Sequence, residues 1–238
     1  MDEKRVALVT GGSRGIGRAI VEALLDEGWS VAFCGRDPQG VEKALGELRA
    51  RHGVRVSARA ADVRREEEVE ALVRFTVDEF GRLDCLVNNA GLGIFAPVDE
   101  LEPEDWRTVV ETNLHGAFYG IHAVAPVMKR QGSGWIFNIA SLAGKNPFAG
   151  GAAYNASKFG MIGMSEAAML DLRHQGIRIA AILPGSVDTE FVHGRPSSST
   201  DWMLAPEDIA RTVVDLLRYP DRALPSRVEI RPSRPPKR

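Results

Sequence analysis

Short apolar runs alternate along this chain with longer amphipathic stretches, and this alternation constrains the fold more than any other feature. The first two cycles are apolar at residues 6–9 and 30–34 and amphipathic at residues 16–27 and 40–51. A strand that is buried on both faces is apolar throughout, whereas a helix that covers a sheet is apolar on one side only. The alternation therefore predicts a parallel sheet with helices on both faces.

The same rhythm continues to the end of the chain without a repeat or a linker. It predicts further strands at residues 55–59, 85–87, 135–139, 177–183 and 228–230, and helices at residues 66–80, 103–130, 152–175 and 206–218. We therefore expect one Rossmann-type doubly wound α/β domain over residues 1–238, with about seven parallel strands.

Two segments depart from this rhythm. Residues 190–203 are rich in serine and glycine and predict a substrate loop that is mobile without ligand and closes when ligand binds, with a tryptic site at Arg195. Residues 231–238 alternate proline with basic residues and predict a solvated or partner-contacting tail.

Charge and cysteine content narrow the function. Thirty Lys and Arg side chains against 32 Asp and Glu give a formal net charge of −2, which argues against nucleic acid or an anionic membrane as partner and favours a small molecule. Cys34 and Cys85 each lie in an apolar run, as reduced thiols of a cytoplasmic protein do.

We expect no membrane span, since no uncharged apolar run reaches the ~18 residues required. The five histidines are scattered, so we expect no metal site.

The segment from Thr10 to Gly17, TGGSRGIG, joins the first strand to the first helix. Gly11 allows a sharp turn, Gly15 lets the backbone approach a pyrophosphate, and Gly17 lets the helix pack closely on the strand. Phosphate would bind to free N–H groups at the helix start. Strand, glycines and helix come in the order that a dinucleotide site needs.

Cofactor choice should depend on the end of the second strand. An acidic residue there would accept a hydrogen bond from the ribose 2′-hydroxyl of NAD, but Arg36 follows the strand instead. Arg14, in the glycine turn, could approach the same 2′-phosphate, so the pair favours NADP(H). Either arginine could instead be a solvated loop charge, and Asp37 beside Arg36 weakens the argument.

Tyr154 and Lys158 are four residues apart in a helical stretch and share a face. A nearby ammonium would lower the pKa of the tyrosine towards useful proton transfer. Such a pair is common by chance, as is a serine at a strand end. Ser141, however, ends the predicted strand 135–139 at the sheet edge where ligands bind.

Together these residues resemble the short-chain dehydrogenase/reductase family over nearly the whole chain. The matching motifs are Thr10–Gly17, Asp62-Val63, Asn88-Asn89-Ala90-Gly91, Asn113, Ser141, Tyr154 to Lys158 and Pro184-Gly185. The resemblance implies that Tyr154 is the general acid, that Lys158 lowers its pKa and holds the nicotinamide ribose, that Ser141 orients the carbonyl, and that Asn113 holds a water linked to Lys158.

The resemblance also implies an NADP(H) site. Asp62 would contact adenine with Val63 beside it, residues 88–91 would line the cofactor, and residues 184–189 would embrace the nicotinamide. The expected cofactor-binding residues are Gly11, Ser13, Arg14, Gly15, Ile16, Gly17, Arg36, Asp62, Val63, Asn89, Ala90, Gly91, Tyr154, Lys158, Pro184, Gly185, Val187 and Thr189. A homotetramer or homodimer would form through the long helices 103–130 and 152–175.

The expected reaction is hydride transfer between NADP(H) and a small carbonyl or alcohol. The alternatives are an NAD-dependent alcohol or 3-hydroxy acid dehydrogenase and a non-catalytic dinucleotide-binding regulator. The C-terminus lacks the glycine-rich Asp-Gly-Gly ending of many family members, which argues against an acyl-carrier-protein reductase. Candidate side chains for the substrate pocket are Phe95, Phe148, Phe191, Trp202 and Met203.

Overall fold

The computed structural model describes residues 5–191 and 200–236 and contains one parallel sheet of seven strands. Spatial order in the sheet is β3-β2-β1-β4-β5-β6-β7, so the strand order reverses between β1 and β4. The strands are β1 Val6–Val9, β2 Ser30–Gly35, β3 Val56–Ala60, β4 Cys85–Asn88, β5 Gly134–Ile139, β6 Ile177–Pro184 and β7 Arg227–Ile230. This sheet confirms the predicted doubly wound fold.

Helices cover both faces of the sheet. They are α1 Gly15–Asp26, α2 Pro38–His52, α3 Glu66–Phe80, α4 Pro103–Val110, α5 Gly116–Gln131, α6 Ala152–Leu172 and α7 Pro206–Leu217. Alternate residues of β1 point to opposite faces: Val9 packs in a cluster with α1, α2 and α7, whereas Leu8 packs in a second cluster with α3, α5 and α6. Because both faces are buried, the strands are apolar throughout.

The predicted helix over residues 103–130 is divided into three parts. A five-residue π-helical turn, Glu111–His115, separates α4 from α5 and contains the buried Asn113. The apolar pattern is uninterrupted through this turn, so periodicity alone could not reveal it. Such one-turn insertions are frequent at functional sites.

Three further observations bear on the class of protein. None of the described helices is both long enough and apolar enough to cross a membrane. Over residues 5–191 and 200–236, no three His, Cys, Asp or Glu side chains cluster as a metal site would require. Cys34 and Cys85 are buried free thiols.

Candidate active site

The glycine turn lies between β1 and α1 at the reversal of strand order. Gly11 and Gly15 have φ values of +65° and +55°, a region that favours glycine. A Cβ atom on Gly17 would lie 2.1 Å from the carbonyl oxygen of Gly11, so only glycine fits there. The first turn of α1 has no side-chain cap and no acidic residue, which leaves its N–H groups suited to an anion.

The segment after β4 is bonded to this turn. Thr10 Oγ1 accepts hydrogen bonds from the backbone N–H groups of Asn89 and Ala90, at 3.0 and 3.1 Å. The Asn89 Nδ2 atom donates to the carbonyl oxygens of Thr10 and Gly11, at 3.0 and 3.1 Å. The two predicted cofactor segments therefore form one unit.

Arg36 directly follows β2. The carboxylate of the neighbouring Asp37 accepts hydrogen bonds from the N–H groups of Gln39 and Gly40 and so caps α2. Hydrogen bonds from Arg64, together with the charges of Arg64 and Arg36, lower the pKa of Asp62. Arg36 therefore lies within electrostatic reach of the residue predicted at the adenine.

Arg14 makes a different contact from the one expected. Its guanidinium lies 3.4 Å from the carboxylate of Glu190, and about three quarters of each side chain is exposed. The glycine turn is thus joined to the start of the predicted substrate loop. Thr189 lies beside the same turn, since a Cβ on Gly15 would be 3.5 Å from its Cγ2.

Ser141, Tyr154 and Lys158 converge at the carboxyl edge of the sheet. Ser141 follows β5, its Oγ accepts from the Ala143 N–H at 3.1 Å, and its side chain is close enough to Tyr154 to oppose the rise of the pKa of that residue. Lys158 Nζ lies 5.7 Å from the centroid of the Tyr154 ring and donates to the carbonyl oxygen of Ile139 at 2.9 Å. The three side chains predicted to carry the chemistry are neighbours.

The pKa of Tyr154 differs from expectation. Burial raises it above its ordinary value, and the hydrogen bond from Ser141 opposes this rise. Lys158 is itself only 4% exposed, and burial lowers its pKa to about 8. Because desolvation disfavours both charged forms, the tyrosine pKa lies above its ordinary value and not below it as predicted. A protonated tyrosine is the form that can act as an acid.

Asn113 has its side-chain amide committed to protein groups. Its Oδ1 accepts from the Leu92 N–H at 2.8 Å, and its Nδ2 donates to the Leu92 carbonyl at 2.9 Å and to Ser157 Oγ at 3.0 Å. Ser157 Oγ in turn donates to the Tyr154 carbonyl at 2.8 Å. The amide thus joins the segment after β4 to the helix that carries Tyr154, which is a positioning role, and the expected water-holding role stays a prediction.

Sequence reasoning missed Leu92 and Ser157. Leu92 takes part through its backbone, so its residue type carries no signal. Ser157 directly precedes Lys158 within the predicted helix, but a helical serine usually bonds its own backbone, as this one also does.

The expected nicotinamide segment follows β6. Pro184 ends this strand, and a Cβ on Gly185 would lie 2.9 Å from Cδ of Pro232 in the C-terminal tail. Val187 forms a parallel bridge with Leu204. The described part of the tail is mostly exposed, but Pro232 is half-buried against Gly185, so the tail is more than a solvated end.

The model for the short chain dehydrogenase family matches residues 5–199. This chain belongs to that family. A 3-oxoacyl-[acyl-carrier-protein] reductase of Staphylococcus epidermidis is 37% identical over 221 residues, covering 88% of this chain and 90% of the relative.

Two solved structures of oxidoreductases are similar to this chain over nearly its whole length. An alcohol dehydrogenase of the archaeon Thermococcus sibiricus, complexed with 5-hydroxy-NADP, is 31% identical with a TM-score of 0.90 over 99% of this chain and all of the other. A variant of actinorhodin polyketide ketoreductase with NADPH is 34% identical with a TM-score of 0.89 over 98% and 97% of the two chains. This short chain dehydrogenase is therefore an oxidoreductase that acts on CH–OH or C=O groups.

The predicted substrate loop is described in part. Residues 192–199, including Arg195, lie outside the described residues, and so does the predicted closure of the loop. Phe191, Trp202 and Met203 are described; Phe191 contacts the ring of Tyr154 with centroids 5.7 Å apart.

A glycine-to-alanine pair tests the packing of the turn in this short chain dehydrogenase. We expect Gly17→Ala to lower the free energy of unfolding by ~1–3 kcal/mol, because the new methyl group overlaps Gly11 and Asn89. Gly46→Ala in α2 is the control: a Cβ there meets nothing within 4 Å, and alanine should stabilise the helix by about 0.5–1 kcal/mol. Urea unfolding measures both, and equal effects would contradict the packing argument.

The buried lysine predicts a pH dependence of stability. Below pH 8 Lys158 is charged in both the folded and the unfolded state, and the folded state bears a desolvated ammonium. Between pH 8 and the ordinary pKa of 10.5 only the unfolded state remains charged, so stability gains with rising pH. The free energy of unfolding of the wild type minus that of Lys158→Met should rise by roughly 3 kcal/mol across this window.

Denaturant titrations at several pH values provide the measurement. Lys43→Met is the control for the loss of a lysine, because Lys43 is exposed on α2. If the difference for Lys158→Met varies with pH no more than that for Lys43→Met, the assignment of a desolvated amine is contradicted.

Proposed function

We propose that this protein is an NADP(H)-dependent carbonyl reductase in which Tyr154 is the general acid. The observation that carries the proposal is the convergence of Ser141, Tyr154 and Lys158 at the sheet edge next to the glycine turn. A non-catalytic dinucleotide-binding regulator has no need of all three side chains, so the convergence favours turnover.

In the proposed reaction, Ser141, Tyr154 and Lys158 have separate roles in orienting the carbonyl and transferring the proton. NADPH, held by the glycine turn and the segments named below, would supply the hydride for the carbonyl carbon. Ser141 donates a hydrogen bond that orients the carbonyl oxygen, and Tyr154 gives its hydroxyl proton to that oxygen, which breaks the O–H bond and leaves a phenolate. The Lys158 ammonium, 5.7 Å from the ring, stabilises this phenolate as it forms. The raised pKa keeps Tyr154 protonated before each turnover.

The residues at the glycine turn fit a dinucleotide. Positive φ at Gly11 and Gly15 and the uncapped N-terminus of α1 form a cradle for a pyrophosphate. The other expected contacts lie after β3, after β4, on α6 after β5, and at the end of β6 and beyond it. We assign Asp62 to adenine, Lys158 to the nicotinamide ribose and residues 184–189 to the nicotinamide, with residues 89–91 lining the cofactor.

Arg36 supports NADP(H) over NAD(H). It is the first residue after β2, where a 2′-phosphate would bind, and the neighbouring carboxylate of Asp37 is engaged in capping α2. The two solved relatives described above hold NADP-type cofactors. An NAD-linked alcohol or 3-hydroxy acid dehydrogenase is the alternative, and it would need an acidic group free to bind the ribose.

We also infer a homotetramer or homodimer that forms through α4, α5 and α6. The exposure of large apolar side chains on these helices, about 40–53%, supports this inference: Trp106, Phe118, Phe159 and Leu170. Buried reduced thiols at Cys34 and Cys85 support a cytoplasmic site of action.

The proposal is tested by following oxidation of NADPH and of NADH across a panel of small ketones and aldehydes. We expect turnover with several of them and a higher kcat/KM for NADPH than for NADH. Absence of turnover with any carbonyl, together with tight binding of NADPH, would favour the regulator.

A further inference from the structure

Three phenylalanine rings surround Tyr154, and we call them the aromatic cup. Phe95 comes from the segment after β4, Phe148 from the segment after β5 and Phe191 from the segment after β6. Their centroids lie 5.7, 6.5 and 5.7 Å from that of Tyr154, and Phe95 and Phe148 lie 5.7 Å apart. Three separate crossover segments thus bring aromatic rings to the ring of the tyrosine that would protonate a substrate.

The rings of the aromatic cup are half exposed. Phe95, Phe148 and Phe191 are 43%, 47% and 38% accessible to solvent. Isolated exposed apolar residues are common, but adjoining ones around a polar reactive group are typical of ligand sites. A ligand that covers these rings would remove apolar surface from water.

The backbone holds the cup in place. A parallel bridge joins Ala96 to Gly151, and the Ala96 N–H donates to the Gly150 carbonyl at 3.0 Å, so the segments that bear Phe95 and Phe148 are connected. A Cβ on Gly93 would lie 2.5 Å from Phe95 and 3.2 Å from Phe191. A Cβ on Gly151 would lie 2.6 Å from Phe148. The rings therefore pack so closely on Gly93 and Gly151 that neither position has room for a side chain.

The rings are inclined to one another at angles that suit the binding of a further aromatic ring. The interplanar angle is 72° between Phe95 and Tyr154, 52° between Phe95 and Phe148, and 54° between Tyr154 and Phe191. Inclined rings present both edges and faces, which is how aromatic groups attract one another beyond area burial. A charged substituent would be desolvated there and is disfavoured.

We propose that the aromatic cup binds a neutral aryl group of the substrate, so that the substrates are ketones or aldehydes that carry an aromatic ring close to the carbonyl. This inference rests on the proposed reductase function. Phe95 and Phe148 are the residues that determine the preference for the ring, because they approach both Tyr154 and each other.

Two ketones with the same carbonyl environment test the inference: 4-phenyl-2-butanone and 4-cyclohexyl-2-butanone. Since neither carbonyl is conjugated with the ring, their chemical reactivity is matched. We expect kcat/KM with NADPH to favour the phenyl ketone by about 2- to 12-fold for each ring contact. Phe95→Leu and Phe148→Leu keep an apolar side chain but should each lower this ratio by that factor.

Tyr219→Leu serves as the matched control. Tyr219 follows α7 and is 46% exposed, like the cup residues, and its replacement should leave the ratio unchanged. Melting temperature and NADPH affinity are measured for every variant, and Phe→Met replaces any Phe→Leu variant that does not fold. An equal kcat/KM for the two ketones in the wild type, or a ratio that neither cup substitution changes, overturns the inference.

The same assay separates this inference from the proposed function. Turnover of any carbonyl that disappears in Tyr154→Phe supports the reductase whatever the ratio of the two ketones. If other carbonyls are reduced and both ketones are refused, the aryl specificity alone is wrong. If no carbonyl in the panel is reduced, the reductase function fails and the inference fails with it.

Discussion

Tyr154→Phe is expected to lower kcat for carbonyl reduction by ~10²–10⁴, the usual contribution of general acid catalysis. The substitution removes one hydroxyl and leaves the ring, which packs against Phe95 and Phe191, in place. Folding and NADPH affinity should therefore remain close to those of the wild type. The measurement is kcat at saturating NADPH, with melting temperature and NADPH affinity determined in parallel.

Tyr119→Phe is the matched control for this experiment. Tyr119 lies on α5, where it contacts His115 and Phe118 and not the candidate site, so the loss of its hydroxyl should leave kcat unchanged. Retention of more than about a tenth of wild-type activity by Tyr154→Phe would show that another group supplies the proton.

Arg36→Asp is expected to reverse or abolish the preference for NADPH over NADH. Loss of a charge-assisted hydrogen bond to the 2′-phosphate costs roughly 1.5–3 kcal/mol, or about 10- to 150-fold, before the repulsion by the new carboxylate is counted. The same carboxylate could accept from the ribose 2′-hydroxyl of NADH. The ratio of kcat/KM for the two cofactors is the quantity to compare.

Arg222→Asp makes the same change of charge at an exposed position between α7 and β7 and should leave the ratio unaltered. If Arg36→Asp also leaves it unaltered, discrimination lies elsewhere. Arg14 would then be the next candidate, because a 2′-phosphate could compete with Glu190 for its guanidinium.

The architecture could be predicted because its determinants are local. Apolar runs such as residues 6–9 and 177–183 predict strands because both faces of the sheet are covered. The glycines of the turn can be recognised because they come in order between a strand and a helix. The candidate acid, lysine and serine could be found by the motifs they belong to. All these signals are contained in a few consecutive residues.

Other properties of the site depend on groups that are distant in sequence. The direction of the Tyr154 pKa is set by burial, which adjacent residues do not reveal. The hydrogen-bond partner of Arg14, Glu190, is 176 residues away in the sequence. The Asn113 amide, which bonds to Leu92, lies in a π-helical turn that leaves the apolar pattern intact. Contacts of this kind follow from the packing of segments and have no local sequence signal.

The bridge between Ala96 and Gly151 has a consequence for divergence among relatives. It fixes the separation of two crossover segments that the chain encodes more than 50 residues apart. A deletion or insertion in either segment would break the pairing unless the other changed its length as well. Indels in these two segments should therefore covary, and this part of the binding site should be inherited as one unit.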